Sequence, residues 1–119
     1  MNSVELRTID ALIAEVVYQT RISYRAEDDE LVSYEDKVII PFWSTNILCT
    51  WDLIHKLQEN YYIDLSWDSC SKEWSCRIVS TILPIIDIKS TANTAPLAIC
   101  KAILELYPSG SLCYINGLT

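Results

Sequence analysis

Apolar side chains first recur at helical spacing near the start of the chain. Leu6, Ile9, Leu12, Ile13, Val16 and Val17 line one side of a helix, with Asp10 and Glu15 off the stripe. Ser3 is its candidate N-cap, and the helix is expected to run to about Tyr18. A second run, Ile47, Leu48, Trp51, Ile54 and Leu57, follows Ser44 and Thr45. Either hydroxyl suits the free amides of a first helical turn. Asn60 is expected to end this helix, because asparagine tolerates left-handed geometry. The third run is Leu97, Cys100, Ile103, Leu104 and Tyr107. Thr94 opens it, Pro96 sits where a missing amide proton costs nothing, and Pro108 and Gly110 close it.

Elsewhere the period changes to two. Tyr61, Ile63, Leu65 and Trp67 alternate with Tyr62, Asp64 and Ser66, and Trp74, Cys76 and Ile78 alternate with Ser75 and Arg77. Strand side chains switch faces at every residue, so these runs predict two strands. The polar stretch from Asp68 to Glu73 makes them an antiparallel hairpin, with Trp67 and Trp74 near its mouth. The apolar stretch from Ser80 to Ile88 is broken by Pro84 and suits an edge strand. Earlier, Arg21, Ser23 and Arg25 alternate with Ile22 and Tyr24 as a short strand. Glu27-Asp28-Asp29-Glu30 is expected to be a solvated loop, and Val38-Ile39-Ile40 a short buried stretch ended by Pro41.

Half of the 119 residues are apolar, enough to fill the core of one domain. The net charge of −7 excludes general nucleic-acid or anionic-membrane binding, both of which need a positive field. No stretch is long and apolar enough to span a bilayer, and with Glu5, Arg7 and Asp10 among the first residues no signal peptide is expected. The five cysteines (Cys49, Cys70, Cys76, Cys100 and Cys113) form no CxxC pair, which suits a reduced, intracellular protein. Only two glycines occur, both near the C-terminus, which excludes a glycine-rich phosphate loop.

Three local patterns carry a resemblance. They are Pro41-Phe42-Trp43-Ser44-Thr45-Asn46-Ile47 with Trp51, the hairpin holding Trp67 and Trp74, and Thr94-Ala95-Pro96-Leu97-Ala98-Ile99-Cys100-Lys101-Ala102. On these the chain resembles the phage ABA sandwich domain family, small proteins encoded by phages and prophages. The resemblance runs from about Leu6 to Tyr107. It implies a β-sheet packed between helices, and no reaction. Residues 20–40 match no motif, and the tail past Tyr107 is extra. The fold is therefore expected to be α+β, a single domain over residues 1–107 with an antiparallel sheet and helices on both faces. Leu112, Tyr114 and Ile115 suit residues 108–119 to an edge strand or a contact with another subunit, and a homo-oligomer is expected.

Chemistry is sparse. His55 is the only histidine, and Asp52 and Glu59 share its helix face; a charged surface is the plain reading. Cys70, Cys76 and His55 are poorly spaced for zinc, so no metal or cofactor is expected. Asp64 and Asp68 suit a solvated strand face better than an acid–base pair. The stronger set is aromatic and basic. Trp43 precedes Ser44, Thr45 and Asn46 at a helix start, where free amides favour an anion, and Asn93 and Thr94 offer a second such start. Arg21, Arg25 and Arg77 are the candidate phosphate partners. The competing reading makes Trp43 and Trp51 core and the hydroxyls caps only.

The family context and the lack of a catalytic motif suggest a non-enzymatic phage accessory protein that counters host immunity in the cytoplasm of the infected bacterium. Its expected partner is a nucleotide-derived signalling molecule, held at Trp43, Ser44, Thr45, Asn46, Arg21, Arg25 and Arg77. The alternative is an acidic inhibitor that occludes a host defence protein; third comes a nucleotide-cleaving enzyme using His55.

Overall fold

A reciprocal capping box opens the first helix. The Asn2 side chain accepts from the Glu5 amide and the Glu5 carboxylate accepts from the Asn2 amide. The cap is thus Asn2, and Ser3 is the first helical residue of α1 (Ser3–Val17). The computed structural model describes residues 2–80 and 85–107. Strands β1 (Ile22–Arg25) and β2 (Glu30–Ser33) pair as a two-stranded antiparallel ribbon. The acidic run forms its turn, except that Glu30 begins β2. Helix α2 (Ile47–Leu57) follows, then β3 (Tyr62–Asp68), β4 (Glu73–Ser80), β5 (Ile86–Ala92) and α3 (Ala95–Leu106).

The last three strands form an antiparallel sheet in the order β3–β4–β5. Register sorts its side chains into two faces. Ile63, Ile78 and Ile88 stand side by side, as do Leu65, Cys76 and Ser90, and Trp67, Trp74 and Ala92. These form the inner face. The alternate rows, Asp64–Arg77–Lys89 and Ser66–Ser75–Thr91, form the outer one. The expected tryptophan pair closes the hairpin, with ring centroids 5.4 Å apart. Its turn has no glycine. Lys72 adopts a φ of 58°, and Asp68 accepts from the amides of Cys70 and Ser71.

Helix α3 is the centre of the molecule. It lies on β4 and β5 and is backed by α1 and α2. Contact on both sides explains why Ala98, Ile99, Cys100, Ala102 and Ile103 are all fully buried, well beyond one apolar stripe. Each buried isoleucine contributes about 1.5–3 kcal/mol. The expected α+β class with an antiparallel sheet is observed. Among the described residues the helices gather on the inner face of the sheet, while Asp64, Arg77, Asp87 and Lys89 stand exposed on the outer face.

Further local expectations need correction: α2 ends at Leu57 with Gln58 as its cap, before Asn60, and the strand expected over Ser80 to Ile88 is β5, from Ile86 to Ala92. Helix α2 starts at Ile47 with Asn46 as its cap, whose side chain accepts from the Leu48 amide; Ser44 and Thr45 lie in the preceding turn. The buried positions of α2 are Thr50, Leu53 and Leu57, so Leu48 and Trp51 face outward. Of Val38, Ile39 and Ile40 only Ile40 is buried, because Ile39 makes a single bridge to Val32 at the ribbon margin. The expected tail contact and the stop at Pro108 and Gly110 lie outside the described residues, as does Pro84.

Candidate functional site

The irregular segment between β2 and α2 is held by two side chains of α1. Asp10 is completely buried. One of its oxygens accepts from Arg7 at 2.8 Å, and the other from the Ser44 amide at 2.7 Å. The Ser44 hydroxyl donates back to the Leu6 carbonyl at 3.0 Å. Arg7 also donates to the carbonyls of Ile40 and Pro41 and to Glu30, and its guanidinium lies 3.8 Å from the centre of the Phe42 ring. A segment outside helix and sheet must satisfy its backbone polar groups somewhere, and here Arg7 and Asp10 satisfy the Ile40 and Pro41 carbonyls and the Ser44 amide. The sequence reading put Asp10 off the apolar stripe. Yet it stands four residues after Leu6, three before Ile13 and seven before Val17, on the side of α1 that faces inward. That spacing, with an arginine three residues before it, was the available signal.

Two concavities flank this junction. One, about 230 Å³, is lined by Ser44 and Thr45 on one side and Asn93 and Thr94 on the other, with Leu6 and Leu97. It joins the two helix starts that the sequence singled out. Much of their donor capacity is already used: Asn46 caps the Leu48 amide, Thr94 caps that of Leu97, and Asp10 holds the Ser44 amide. The second, about 430 Å³, runs between the first turns of α1 and the β1–β2 ribbon. Val4, Tyr24, Leu31 and Phe42 supply its apolar lining, and Arg7, Asp29 and Glu30 its charges.

The other expected site residues are dispersed. Trp43 is 5% exposed and stacks on Tyr18 at 5.3 Å, so its ring belongs to the core. The exposed guanidinium of Arg21 lies over the Tyr34 ring at 4.1 Å. Arg25 forks onto Asp28 in the ribbon, and this hydrogen-bonded pairing holds the Asp28 carboxyl below its usual range. On the outer sheet face Arg77 forks onto Asp87 at 2.8 and 2.7 Å, with the same effect on Asp87. Arg25 and Arg77 thus spend their bidentate geometry on this chain's own carboxylates.

The remaining candidates are equally separate. His55 is exposed, with its ring 3.3 Å from the Gln58 amide. Asp64 and Asp68 share a face of β3 but stand about 13 Å apart. Burial pushes the Cys76 thiol up to about 11 and that of Cys100 higher still, so both stay protonated at neutral pH. Cys70 is exposed. Among the described residues no cluster of three or more His, Cys, Asp or Glu is placed to hold a metal ion. No described helix is long and apolar enough to cross a membrane.

The family profile of the phage ABA sandwich domain matches residues 11–104. The chain belongs to this family. The match takes in β1 and β2, for which the sequence offered no motif, and ends within α3. Among solved structures, this ABA sandwich domain is similar to a phage protein from Bacillus cereus ATCC 14579. The two share 27% identity over 86% of this chain and 91% of the other, with a TM-score of 0.64. No curated protein matches the chain.

Proposed function

We propose that this phage ABA sandwich protein is a non-enzymatic accessory factor that counters host immunity by occupying a host defence protein. The observation that carries the reading is the disposition of charge. The chain is acidic, at −7, while Arg7, Arg25 and Arg77 are bound to its own carboxylates. A surface of this kind attracts a basic protein face and repels phosphate-rich ligands. The test is to express the protein in a bacterium carrying a chosen antiviral system and to plate a phage which that system restricts. Restored plating supports the reading, and unchanged restriction across a panel of systems overturns it.

A second reading, sequestration of a nucleotide-derived signal, is favoured by one feature, the concavity where two helix starts meet. Its volume of about 230 Å³ is below the roughly 300–1,000 Å³ of typical small-molecule sites. It therefore suits one anionic group better than a whole nucleotide within a single chain. Incubation with host-cell nucleotides, heat release and mass spectrometry separate the readings. Protein occlusion returns no enriched nucleotide, sequestration returns one intact, and an enzyme returns one altered.

A further inference from the structure

We infer that the groove between the start of α1 and the β1–β2 ribbon docks a basic segment of a partner protein, one carrying apolar residues beside its lysines or arginines. The inference rests on the protein-occluding reading above and names the chemical class of the partner surface.

The groove brings together apolar surface from three separate parts of the chain. Val4 of α1 is 73% exposed, Tyr24 of β1 59% and Phe42 39%. Leu31 completes the lining. Singly exposed apolar residues need no explanation, but several converging on one concavity mark an interaction surface. Its volume, about 430 Å³, is large enough to receive side chains from a partner.

Charge decides the kind of partner. The charged side chains lining the groove are Arg7, Asp29 and Glu30. Both terminal nitrogens of Arg7 are engaged: they meet two carboxylates and two carbonyls, and the guanidinium stacks on Phe42. With Asp10 beneath it, one positive charge faces three negative ones. Asp29 uses one oxygen on the Tyr24 hydroxyl, and Glu30 uses one on Arg7. Each carboxylate therefore has a second oxygen to offer a cation. The Asp29 hydrogen bond also raises the Tyr24 pKa, so the phenol stays neutral and its ring forms an apolar wall next to the carboxylates. A lysine or arginine reaching Asp29 and Glu30, with a neighbouring apolar side chain over Val4, Leu31 and Phe42, satisfies both halves of the groove.

The test titrates the isotope-labelled full chain with three synthetic peptides of equal length, built from lysine and leucine, glutamate and leucine, and lysine and serine. We expect the lysine–leucine peptide alone to bind saturably, shifting the amide resonances of Val4, Thr8, Asp29 and Leu31. Val4→Ser and Asp29→Asn should each weaken this binding about fivefold or more, with thermal melting unchanged, because both side chains are at the surface. Asp64→Asn, on the outer sheet face, should leave it unaltered. Equal binding of the glutamate–leucine or lysine–serine peptide, shifts confined to another surface, or no saturation by about 1 mM would each overturn the groove. Failure here is separable from failure of the broader reading. A groove that binds the peptide in a protein that never relieves restriction leaves the inference standing and removes the immune role. Relief that survives Val4→Ser and Asp29→Asn removes the groove and leaves the role.

Discussion

Arg7 and Arg77 each pair with an aspartate of this chain, and the two pairs act in opposite ways. Arg7 is 18% exposed and its partner Asp10 not at all, whereas Arg77 and Asp87 are both about half exposed, at 52% and 53%. The buried pair ties α1, Glu30, the 40–41 backbone and Ser44 into one junction. The exposed pair joins adjacent strands that backbone hydrogen bonds already join. Partner chemistry is alike in the two cases, so burial sets the difference. Inside, removal of one member strands the other without water; outside, water replaces it. The groove is built around the first pair, and the second belongs to a solvated sheet face.

The largest effect that can break this contrast is Asp10→Ala. It leaves the Arg7 guanidinium and the Ser44 amide without their buried acceptor, and should cost about 3–5 kcal/mol in urea unfolding. A loss under about 1 kcal/mol would place this pair with ordinary surface bridges. Trp43→Ala should cost a similar amount, about 3–5 kcal/mol, because the ring is packed in the core.

These two residues also show how far the sequence could be read. The α+β class, the tryptophan hairpin and the span and cap of α3 were legible, because strict alternation and a Thr–x–Pro helix start each depend on neighbouring residues. The site was less so. Trp43 reads as a stacking platform or, more readily, as core until Tyr18 is seen against it. Asp10 looks like a surface carboxylate until Ser44, 34 residues later, is brought to it. The inward side of α2 was misread because apolar residues lie around most of that helix, and only packing on α3 selects Leu53 over Trp51.

The next effect sharpens the view of the sheet, whose stability should come from its inner face rather than from Arg77. Cys76, adjacent to Arg77 but pointing inward, has its thiol pKa raised from 9.0 to about 11 by burial. A raised folded-state pKa gives stability that is complete below the unfolded value and lost as pH climbs through the folded one. Unfolding free energy should therefore fall between about pH 9 and 11, and Cys76→Ser should lessen that fall while Cys100 sustains the rest. In the native state a thiol reagent should modify Cys70 quickly and reach Cys76 and Cys100 only on unfolding. A smaller gain is expected at the hairpin turn, where Lys72→Gly relieves a left-handed backbone and should stabilise by up to about 1 kcal/mol. Smallest of all, Arg77→Ala should leave the melting temperature unchanged within error.

The most direct test of the account is a plating assay on a host whose antiviral system the wild-type protein relieves. Four strains are compared, expressing wild type, Val4→Ser with Asp29→Asn, Arg77→Ala, or no protein. The groove variant should plate like the strain without protein, and Arg77→Ala like wild type. Relief retained by the groove variant and lost with Arg77→Ala would place the working surface on the sheet and contradict the account.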